Sequence, residues 1–298
     1  MQDFMASRLF YLFCLLCALP TTPSYAQDTL SPPQPVNVIL LIGNGLGTAQ
    51  VFSAFYGETG TSHFARFEQV GLIQTRSASH AVTDPAAAVT AVATGVRTYN
   101  RAIAFGPDTA SVPTLLERLR DESNHRTGLV SQNPINHATP ACFYAHVPDR
   151  DMQEDIAVQR VAAAPDFFVL EGSYLDRAGH ARNDSLPIRE IADFDETLGV
   201  LLDYVDDQPH TLLVVAGTHE TGGVSLTAKY DAPVLGAKRE IPAEVAVRFG
   251  TKAHSAELVP VFARGPGAEH FSGVYPNHEI YHRLLKALEP GRIQSPAR

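Results

Sequence analysis

Two side chains that can ligate zinc, Asp176 and His180, stand four residues apart in this 298-residue chain. Residues at this spacing share one face of a helical turn. A carboxylate oxygen and an imidazole nitrogen are both good zinc ligands. The spacing therefore indicates part of a zinc site. On its own, however, it fits slightly better a salt bridge at a helix end beside a solvated histidine.

Two further histidines follow runs that resemble strands. His219 comes directly after the apolar run 211–216, and His254 lies in the short run 250–255. A single histidine is more often structural than a ligand, but three in such positions are harder to explain by packing. We therefore predict that the histidines and Asp176 meet at one edge of a sheet.

The elements that must position these residues alternate along the chain. Apolar, β-branched runs predict buried strands, and longer runs with helical spacing predict helices. The predicted strands are 36–42, 127–131, 166–170, 211–216 and 259–263, and the predicted helices are 86–95, 188–205 and 280–288. This alternation predicts an α/β fold with a mainly parallel central sheet and helices on both faces.

Six ordered segments of the chain resemble the alkaline phosphatase family. The segments are 37–47, 83–95, 136–150, 171–180, 219–223 and 254–273, and the match spans about 36–288, nearly the whole mature chain. The resemblance implies an alkaline-phosphatase-like fold and a hydrolase of phosphate monoesters. In that family two zinc ions and a magnesium ion assist a serine that attacks phosphorus, and an arginine holds the phosphate.

The resemblance assigns a role to individual residues of this chain. Arg150 matches the phosphate clamp, which suits its planar, forked guanidinium. The matching metal ligands are Asp176, His180 and His254 for the first zinc, His219 with Asn44 and Thr218 for the second zinc, and Thr139 and Glu171 with Asn44 for magnesium.

Three residues depart from the family pattern, and all three belong to one part of the site. Pro85 stands at the position of the serine nucleophile and has no hydroxyl. Asn44 and Thr218 replace two aspartates that bind metal, so two negative charges are lost around one dication. The first zinc is therefore expected, the second is doubtful, and magnesium is an option.

Three functional hypotheses follow. The first is an exported alkaline phosphatase family protein that is catalytically impaired or inactive, in other words a pseudoenzyme. The second is an active one-zinc phosphoester hydrolase that uses metal-bound hydroxide. The third is a non-catalytic, zinc-containing protein that binds a phosphate ester. Thr83 offers a hydroxyl near Pro85 but stands at a different position of the loop, so we do not favour it as a substitute nucleophile.

The chain divides into four segments. Residues 1–26 resemble a secretory signal peptide, with Arg8 before the apolar run 9–19 and a small-x-small site at 24–26. Residues 27–35 form a flexible lead-in, 36–290 a single domain and 291–298 a tail. Only sixteen residues separate Arg150 from Phe167, where the family usually carries a long insertion.

The composition of the chain limits the kinds of molecule that it is expected to bind. The formal net charge of -9 and the absence of basic runs argue against nucleic acid. After signal cleavage we expect a periplasmic or secreted protein without stable membrane insertion. Cys142 is then the one remaining cysteine, so no intrachain disulfide can form. A phosphate or phosphate-monoester ligand is the expected partner, and the sequence leaves the oligomeric state open.

Overall fold

The site is carried by a central sheet whose strands come from almost the whole chain. In a computed structural model of the protein, the described residues are 35, 37–56, 61–123, 126–163, 169–182, 186–230 and 240–288. The predicted signal peptide, most of the lead-in, Phe167 and the tail lie outside these residues. The strands in chain order are β1 (Asn37–Gly43), β2 (Gln69–Gln74), β3 (Val130–Ser131), β4 (Val169–Gly172), β5 (Thr211–Gly217), β6 (Glu220–Thr221), β7 (Val224–Tyr230), β8 (Glu240–Phe249), β9 (His254–Ser255), β10 (Val259–Arg264) and β11 (Gly273–Pro276).

Seven of these strands form one sheet in the order β11-β2-β10-β5-β1-β4-β3. The pairs β1–β4, β1–β5, β3–β4 and β2–β11 are parallel, whereas β10 runs antiparallel to both β2 and β5. The predicted mainly parallel sheet is therefore confirmed. Two small antiparallel sheets, β6–β9 and β7–β8, follow the carboxyl end of β5.

Helices cover both faces of the sheet. Their bounds are α1 (Thr48–Ala54), α2 (Pro85–Thr94), α3 (Leu115–Ser123), α4 (Ala138–Ala141), α5 (Gln153–Ala163), α6 (Tyr174–Ala181), α7 (Leu186–Asp207) and α8 (Glu279–Leu288). Alternate residues of β1 enter two different apolar cores. Leu40 and Ile42 pack with residues of α2 and α8, and Ile39 and Leu41 pack with residues of α1 and α7. This alternation is the two-sided burial expected of a central parallel strand.

Helix α2 shows why its sequence folds as it does. Asp84 accepts a hydrogen bond from the Ala87 N–H and caps the helix, and Pro85 occupies the first turn, where a missing N–H costs nothing. Gly95 ends the helix in the left-handed conformation with φ 74°. Every residue from Pro85 to Thr94 is buried, which explains the alanine-rich composition between neighbouring elements.

The sequence analysis located the central elements but missed several peripheral ones. The predicted strand 127–131 was too long, since only Val130–Ser131 pairs with β4. Residues 166–168 of another predicted strand lie outside the described residues, and β4 begins at Val169. Strands β2 and β11 and the β7–β8 hairpin were not predicted. None of the helices among the described residues has both the length and the apolar character needed to span a membrane.

Candidate metal and phosphate site

The carboxyl ends of three central strands bring most of the predicted residues together. Gly43 of β1 is paired in register with Gly172 of β4 and with Gly217 of β5, so these strands end at the same level. Asn44 follows β1, Thr218 and His219 follow β5, and α6 begins two residues after β4. The site therefore lies at the sheet edge where open α/β folds usually bind ligands.

Backbone packing fixes the loop after β1 against helix α6. Gly45 has φ +84°, and a Cβ at this position would lie 2.7 Å from the Cα of Asp176. A side chain there would be strained and would push the loop away. Glycine thus allows the Asn44 loop to lie directly against the helix that carries Asp176.

Asp176 lies between two histidines, and one of them, His180, shares its helix face as the i, i+4 spacing predicted. The Nε2 atoms of His180 and His254 lie 3.4 and 3.5 Å from its Oδ1 atom. The Nδ1 atom of His180 donates to the Lys252 carbonyl at 2.7 Å, and that of His254 donates to the Thr83 carbonyl at 3.0 Å. Backbone contacts of this kind orient each ring with Nε2 toward the shared carboxylate, as in many zinc sites.

His219 belongs to the same cluster. Its ring stacks on that of His254 with centroids 3.7 Å apart, and ligand atoms of Asp176, His219 and His254 all lie within 4.8 Å of one another. The sequence analysis assigned His219 to a second zinc, whereas the structure places it beside two residues assigned to the first. We call Asp176, His180, His219 and His254 the zinc cluster.

A hydrogen-bond chain sets the tautomer of His219. The Thr221 hydroxyl donates to Asp176 Oδ1 at 2.6 Å, so it accepts from His219 Nδ1 at 3.1 Å. The Nε2 atom of His219 is then left with a lone pair, and it is buried with no partner among the described residues. Such an orphaned nitrogen, aimed into a group of ligand atoms, fits a bound metal ion.

The protonation states of His219 and Asp176 also fit a bound metal ion. Burial, reinforced by nearby His254, lowers the pKa of His219 to about 3, so its ring is neutral at pH 7. Burial alone would raise the pKa of Asp176, but the His254 hydrogen bond and the nearby His219 outweigh it and hold that pKa well below its usual range. An ionised carboxylate beside a neutral imidazole is the donor set that zinc requires.

The two substituted residues, Asn44 and Thr218, satisfy each other. The Thr218 hydroxyl donates to Asn44 Oδ1 at 3.0 Å and accepts from the Gly45 N–H at 3.2 Å. Both side chains are buried, at 2% and 3% exposure. We call them the neutral pair, because they bring no charge to the place where the family resemblance implies two aspartates.

The residues predicted to bind magnesium leave buried oxygens without partners. Thr139 lies in the short helix α4, and its Oγ1 atom has no hydrogen bond within the described part of the chain. Glu171 accepts from the Ser131 hydroxyl at 2.6 Å through Oε2, whereas its Oε1 atom and the nearby Ser173 hydroxyl have no partner among the described residues. Oxygen donors of this type fit a hard cation.

Arg150, the predicted phosphate clamp, contacts two side chains that hold its guanidinium. One guanidinium nitrogen donates to Asp84 Oδ2 at 3.2 Å, and the other donates to His137 Nε2 at 3.4 Å. Burial, followed by the charge of Arg150, lowers the pKa of His137, which keeps that ring neutral. Asp84 and His137 thus hold the guanidinium in place. The sequence analysis did not single out either residue, although an acidic residue before a helix-starting proline signals a cap.

Pro85 lines the same cleft as the charged groups. The cleft has a volume of about 550 Å³ and is lined by His80, Asp84, Pro85, Asn100, Arg101, His137, Arg150, Asp176, His180 and His254. The nearby Thr83 hydroxyl donates to the Asp84 carbonyl at 3.1 Å, and Thr83 is buried. Its hydroxyl is therefore engaged in the loop that supports the helix.

Glu220 is a further functional candidate that sequence reasoning missed. This fully buried carboxylate accepts from the Gln50 amide and the Val224 N–H, each at 2.9 Å, from the Gly223 N–H at 3.0 Å, and from the Ser255 hydroxyl. It therefore joins the segment that follows His219 to the residue that follows His254. The signal in the sequence was its position directly after His219.

Comparison with known proteins decides the family. The family profile described as Alkaline phosphatase matches residues 36–166 and 164–241, which is more than half of the chain. This chain belongs to the alkaline phosphatase family. The alkaline phosphatase of the Antarctic bacterium TAB5 has a similar structure, with a TM-score of 0.80, 31% identity, and coverage of 87% of this chain and 99% of that one.

Two curated relatives extend the comparison. Alkaline phosphatase 3 of Bacillus subtilis is 25% identical over 85% of this chain and 89% of its own length. Streptomycin-6-phosphate phosphatase of Streptomyces griseus is 35% identical over 53% of this chain and 41% of its own length. The alignment with the Bacillus protein runs over 411 positions, so that relative has long stretches with no counterpart here. The two matched profile segments meet at 164–166, close to the short stretch after Arg150.

Proposed function

We propose that this alkaline phosphatase family protein binds a phosphate ester at Arg150 and holds one zinc ion, but does not form a phosphoserine. Pro85 is the observation that carries this proposal. It lines the cleft together with Arg150, Asp176, His180 and His254, at the start of the helix where the resemblance places the nucleophile. A proline ring can neither attack phosphorus nor donate a hydrogen bond to phosphate.

One zinc ion is the stoichiometry that the donor set supports. Asp176, His180 and His254 would hold it, with backbone carbonyls fixing both rings. A bound zinc ion supplies positive charge that polarises a phosphoryl oxygen. The neutral pair offers one amide oxygen and one hydroxyl in place of two carboxylates. A second dication would therefore be bound weakly, with His219 as its strong ligand, and magnesium at Thr139 and Glu171 would also lack a charged partner at Asn44.

The chain's own residues would bind a phosphate as follows. The Arg150 guanidinium, already held by Asp84 and His137, presents its N–H groups to an anion in the cleft. His254 lines the same cleft, and its Asp176 partner carries a negative charge that only a metal ion would offset for an incoming anion. Phosphate binding should therefore depend on zinc and be weak in zinc-free protein.

A second candidate function is a one-zinc phosphoester hydrolase. The observation in its favour is that Arg150 lines one cleft with Asp176, His180 and His254, so a water-derived nucleophile could reach a phosphate held there. Against it stands the neutral pair, because the lost second metal removes charge stabilisation of several kcal/mol. A non-catalytic protein that contains zinc is the remaining hypothesis. For all three we propose export to the periplasm or the exterior, directed by residues 1–26.

Initial rates with an aryl phosphate distinguish these candidates. Our proposal expects zinc-loaded protein to show no turnover above that of Asp176→Ala, while inorganic phosphate still binds in a zinc-dependent way. Robust turnover that Asp176→Ala abolishes would overturn the proposal in favour of the one-zinc hydrolase. Zinc binding without any phosphate binding would overturn the proposal and leave a purely structural zinc.

A further inference from the structure

A second pocket lies beside the zinc cluster. Its volume is about 350 Å³, and it is lined by Arg182, Val247, Arg248, Phe249 and Lys252. Arg182 ends helix α6, Arg248 lies in β8, and Lys252 lies in the turn before β9. We call it the basic pocket, because three of its five lining side chains are cationic.

The basic pocket borders the cleft through the backbone of its own residues. The Lys252 carbonyl accepts the hydrogen bond from His180 Nδ1 at 2.7 Å, and His180 lines the cleft. Arg182 follows His180 by two residues. A ligand that extends from the zinc cluster past His180 would therefore meet this pocket.

The three cations of the basic pocket differ in their ion pairing from several other cations of the molecule. Arg101 pairs with Asp149 and Asp151, Lys229 pairs with Glu244, and Arg150 pairs with Asp84. The pocket residues Arg182, Arg248 and Lys252 are exposed and have no ion pair or side-chain hydrogen bond with any described residue.

Cations that share one concave site, and that have no ion-pair partner among the described residues, favour an anionic ligand. Bringing like charges together costs free energy unless a counter-charge is bound. The concentration is notable in a chain whose formal net charge is -9. The apolar part of the lining, buried Val247 and half-buried Phe249, would contact the carbon skeleton of such a ligand.

We infer that the basic pocket binds a second anionic group of the phosphate ester held at Arg150. The ligand class is a small alcohol that carries two phosphate groups, one in the cleft and one among Arg182, Arg248 and Lys252. This inference rests on the proposed function of the cleft. It adds a specificity site formed by the β7–β8 hairpin and the end of α6.

The test compares ligands that differ by one phosphate. Zinc-loaded protein is titrated calorimetrically with α,ω-alkanediol monophosphates and bisphosphates of three to six carbons. At low ionic strength we expect one bisphosphate to bind about tenfold more tightly than its monophosphate, since two or more cations face the added charge. The advantage should shrink in 0.5 M salt, where the Debye length is only about 4 Å.

Matched variants locate the second phosphate. The double change Arg182→Gln and Arg248→Gln should remove the bisphosphate advantage and leave monophosphate affinity unchanged. Lys229→Gln is the control, because it removes one positive charge from the same hairpin but outside the basic pocket. It should leave the bisphosphate advantage unchanged. An advantage that survives the double change, or that Lys229→Gln removes as well, would overturn the inference.

Two further outcomes separate this inference from the proposed function. If monophosphates bind in a manner that depends on Arg150 but no bisphosphate binds more tightly, the basic pocket is not a subsite and the cleft proposal stands. If bisphosphates bind through Arg182 and Arg248 in Arg150→Ala protein as tightly as in the unmodified chain, the pocket binds anions but the cleft proposal fails.

Discussion

The two halves of this site share one sheet edge but differ in charge. Around Asp176, an ionised carboxylate faces the Nε2 atoms of two histidines that backbone carbonyls hold in place. Around Asn44, the neutral pair is closed by its own hydrogen bond at 3.0 Å. This comparison shows how hydrogen bonds between neutral side chains can hold the loop after β1, where the family resemblance implies two charged metal ligands.

The neutral pair also explains why the fold tolerates these changes. Two buried carboxylates without a metal between them would repel each other and carry a desolvation penalty. The Thr218 hydroxyl instead bonds both Asn44 and the Gly45 N–H, so the loop after β1 keeps its position against α6. The neutral pair therefore avoids the cost that two aspartates without a metal ion would carry at this position.

Restoring the charged half should give the largest effect. We expect the triple change Asn44→Asp, Pro85→Ser and Thr218→Asp to add a second zinc and raise aryl phosphate turnover by orders of magnitude. Pro85→Ser alone should do little, because the metal that activates the serine is still poorly held. The gain should be strongly non-additive, since these residues act as a unit. Zinc content and initial rates of all single, double and triple variants provide the measurement.

An equal gain from Pro85→Ser alone would show that the neutral pair still binds metal. A fully zinc-loaded triple variant without turnover would indicate that the short stretch after Arg150 leaves the site wall incomplete. Either result would change the comparison between the two halves.

Removing ligands from the charged half should give the next largest effect. Asp176→Ala or His254→Ala should weaken zinc binding by more than about a hundredfold, the upper range for loss of a supporting contact around a metal. His219→Ala should weaken it far less, because the resemblance assigns His219 to the second metal. Competition titration with a chelator measures all three. Equal losses would mean that His219 is a full ligand of the first zinc, as its 4.8 Å cluster with Asp176 and His254 permits.

The Glu220 carboxylate tests whether the histidine segments must be held in place. Glu220→Gln should weaken zinc binding about tenfold, because it loosens the bonds to Gly223 and Ser255 that connect the two histidine segments. Asp195→Asn is a matched control, since Asp195 is a buried carboxylate that accepts from Ser62 and His63 away from the site.

Both changes should lower the free energy of unfolding by about 1–3 kcal/mol. Only Glu220→Gln should change zinc affinity, as measured by chelator competition beside a denaturant titration. If Asp195→Asn weakens zinc binding as much, the effect of Glu220 is general stability and not positioning.

The smallest expected effect concerns the ion pair between His146, four residues before Arg150 in the chain, and Glu117. His146 Nε2 lies 2.9 Å from Glu117 Oε1. Burial opposes both charges, but the mutual hydrogen bond raises the pKa of His146 and lowers that of Glu117. The His146 contribution is complete below its ordinary pKa and is lost as pH rises through the raised value. The Glu117 contribution is present above its ordinary pKa and is lost as pH falls through the lowered one.

The pair should therefore stabilise most between about pH 4.5 and 6.5. Glu117→Gln should lower the Tm by about 1–3 °C at pH 5.5, and by less at pH 9. Differential scanning calorimetry at the two pH values is the check. If Glu117→Gln lowers the Tm equally at both pH values, the pair contributes as a neutral hydrogen bond and its ionisation does not affect stability.

The sequence predicted five of the seven strands of the central sheet at least in part, namely β1, β3, β4, β5 and β10. Long β-branched runs predicted β1 and β5, and the spacing of Asp176 and His180 predicted their shared face on α6. Strands β2 and β11 were not predicted, because their pairing partners lie far away in the chain. Long-range contacts also hid Asp84, His137 and Glu220, whose partners become neighbours only after folding.

Zinc stoichiometry of the purified protein tests the central claim most directly. Metal analysis by mass spectrometry, after saturation with zinc and dialysis, should give close to one zinc per chain, and Asp176→Ala should bring this close to zero. Two zinc ions retained per chain, with one remaining in Asp176→Ala, would contradict the account, because the neutral pair would then be a working metal site.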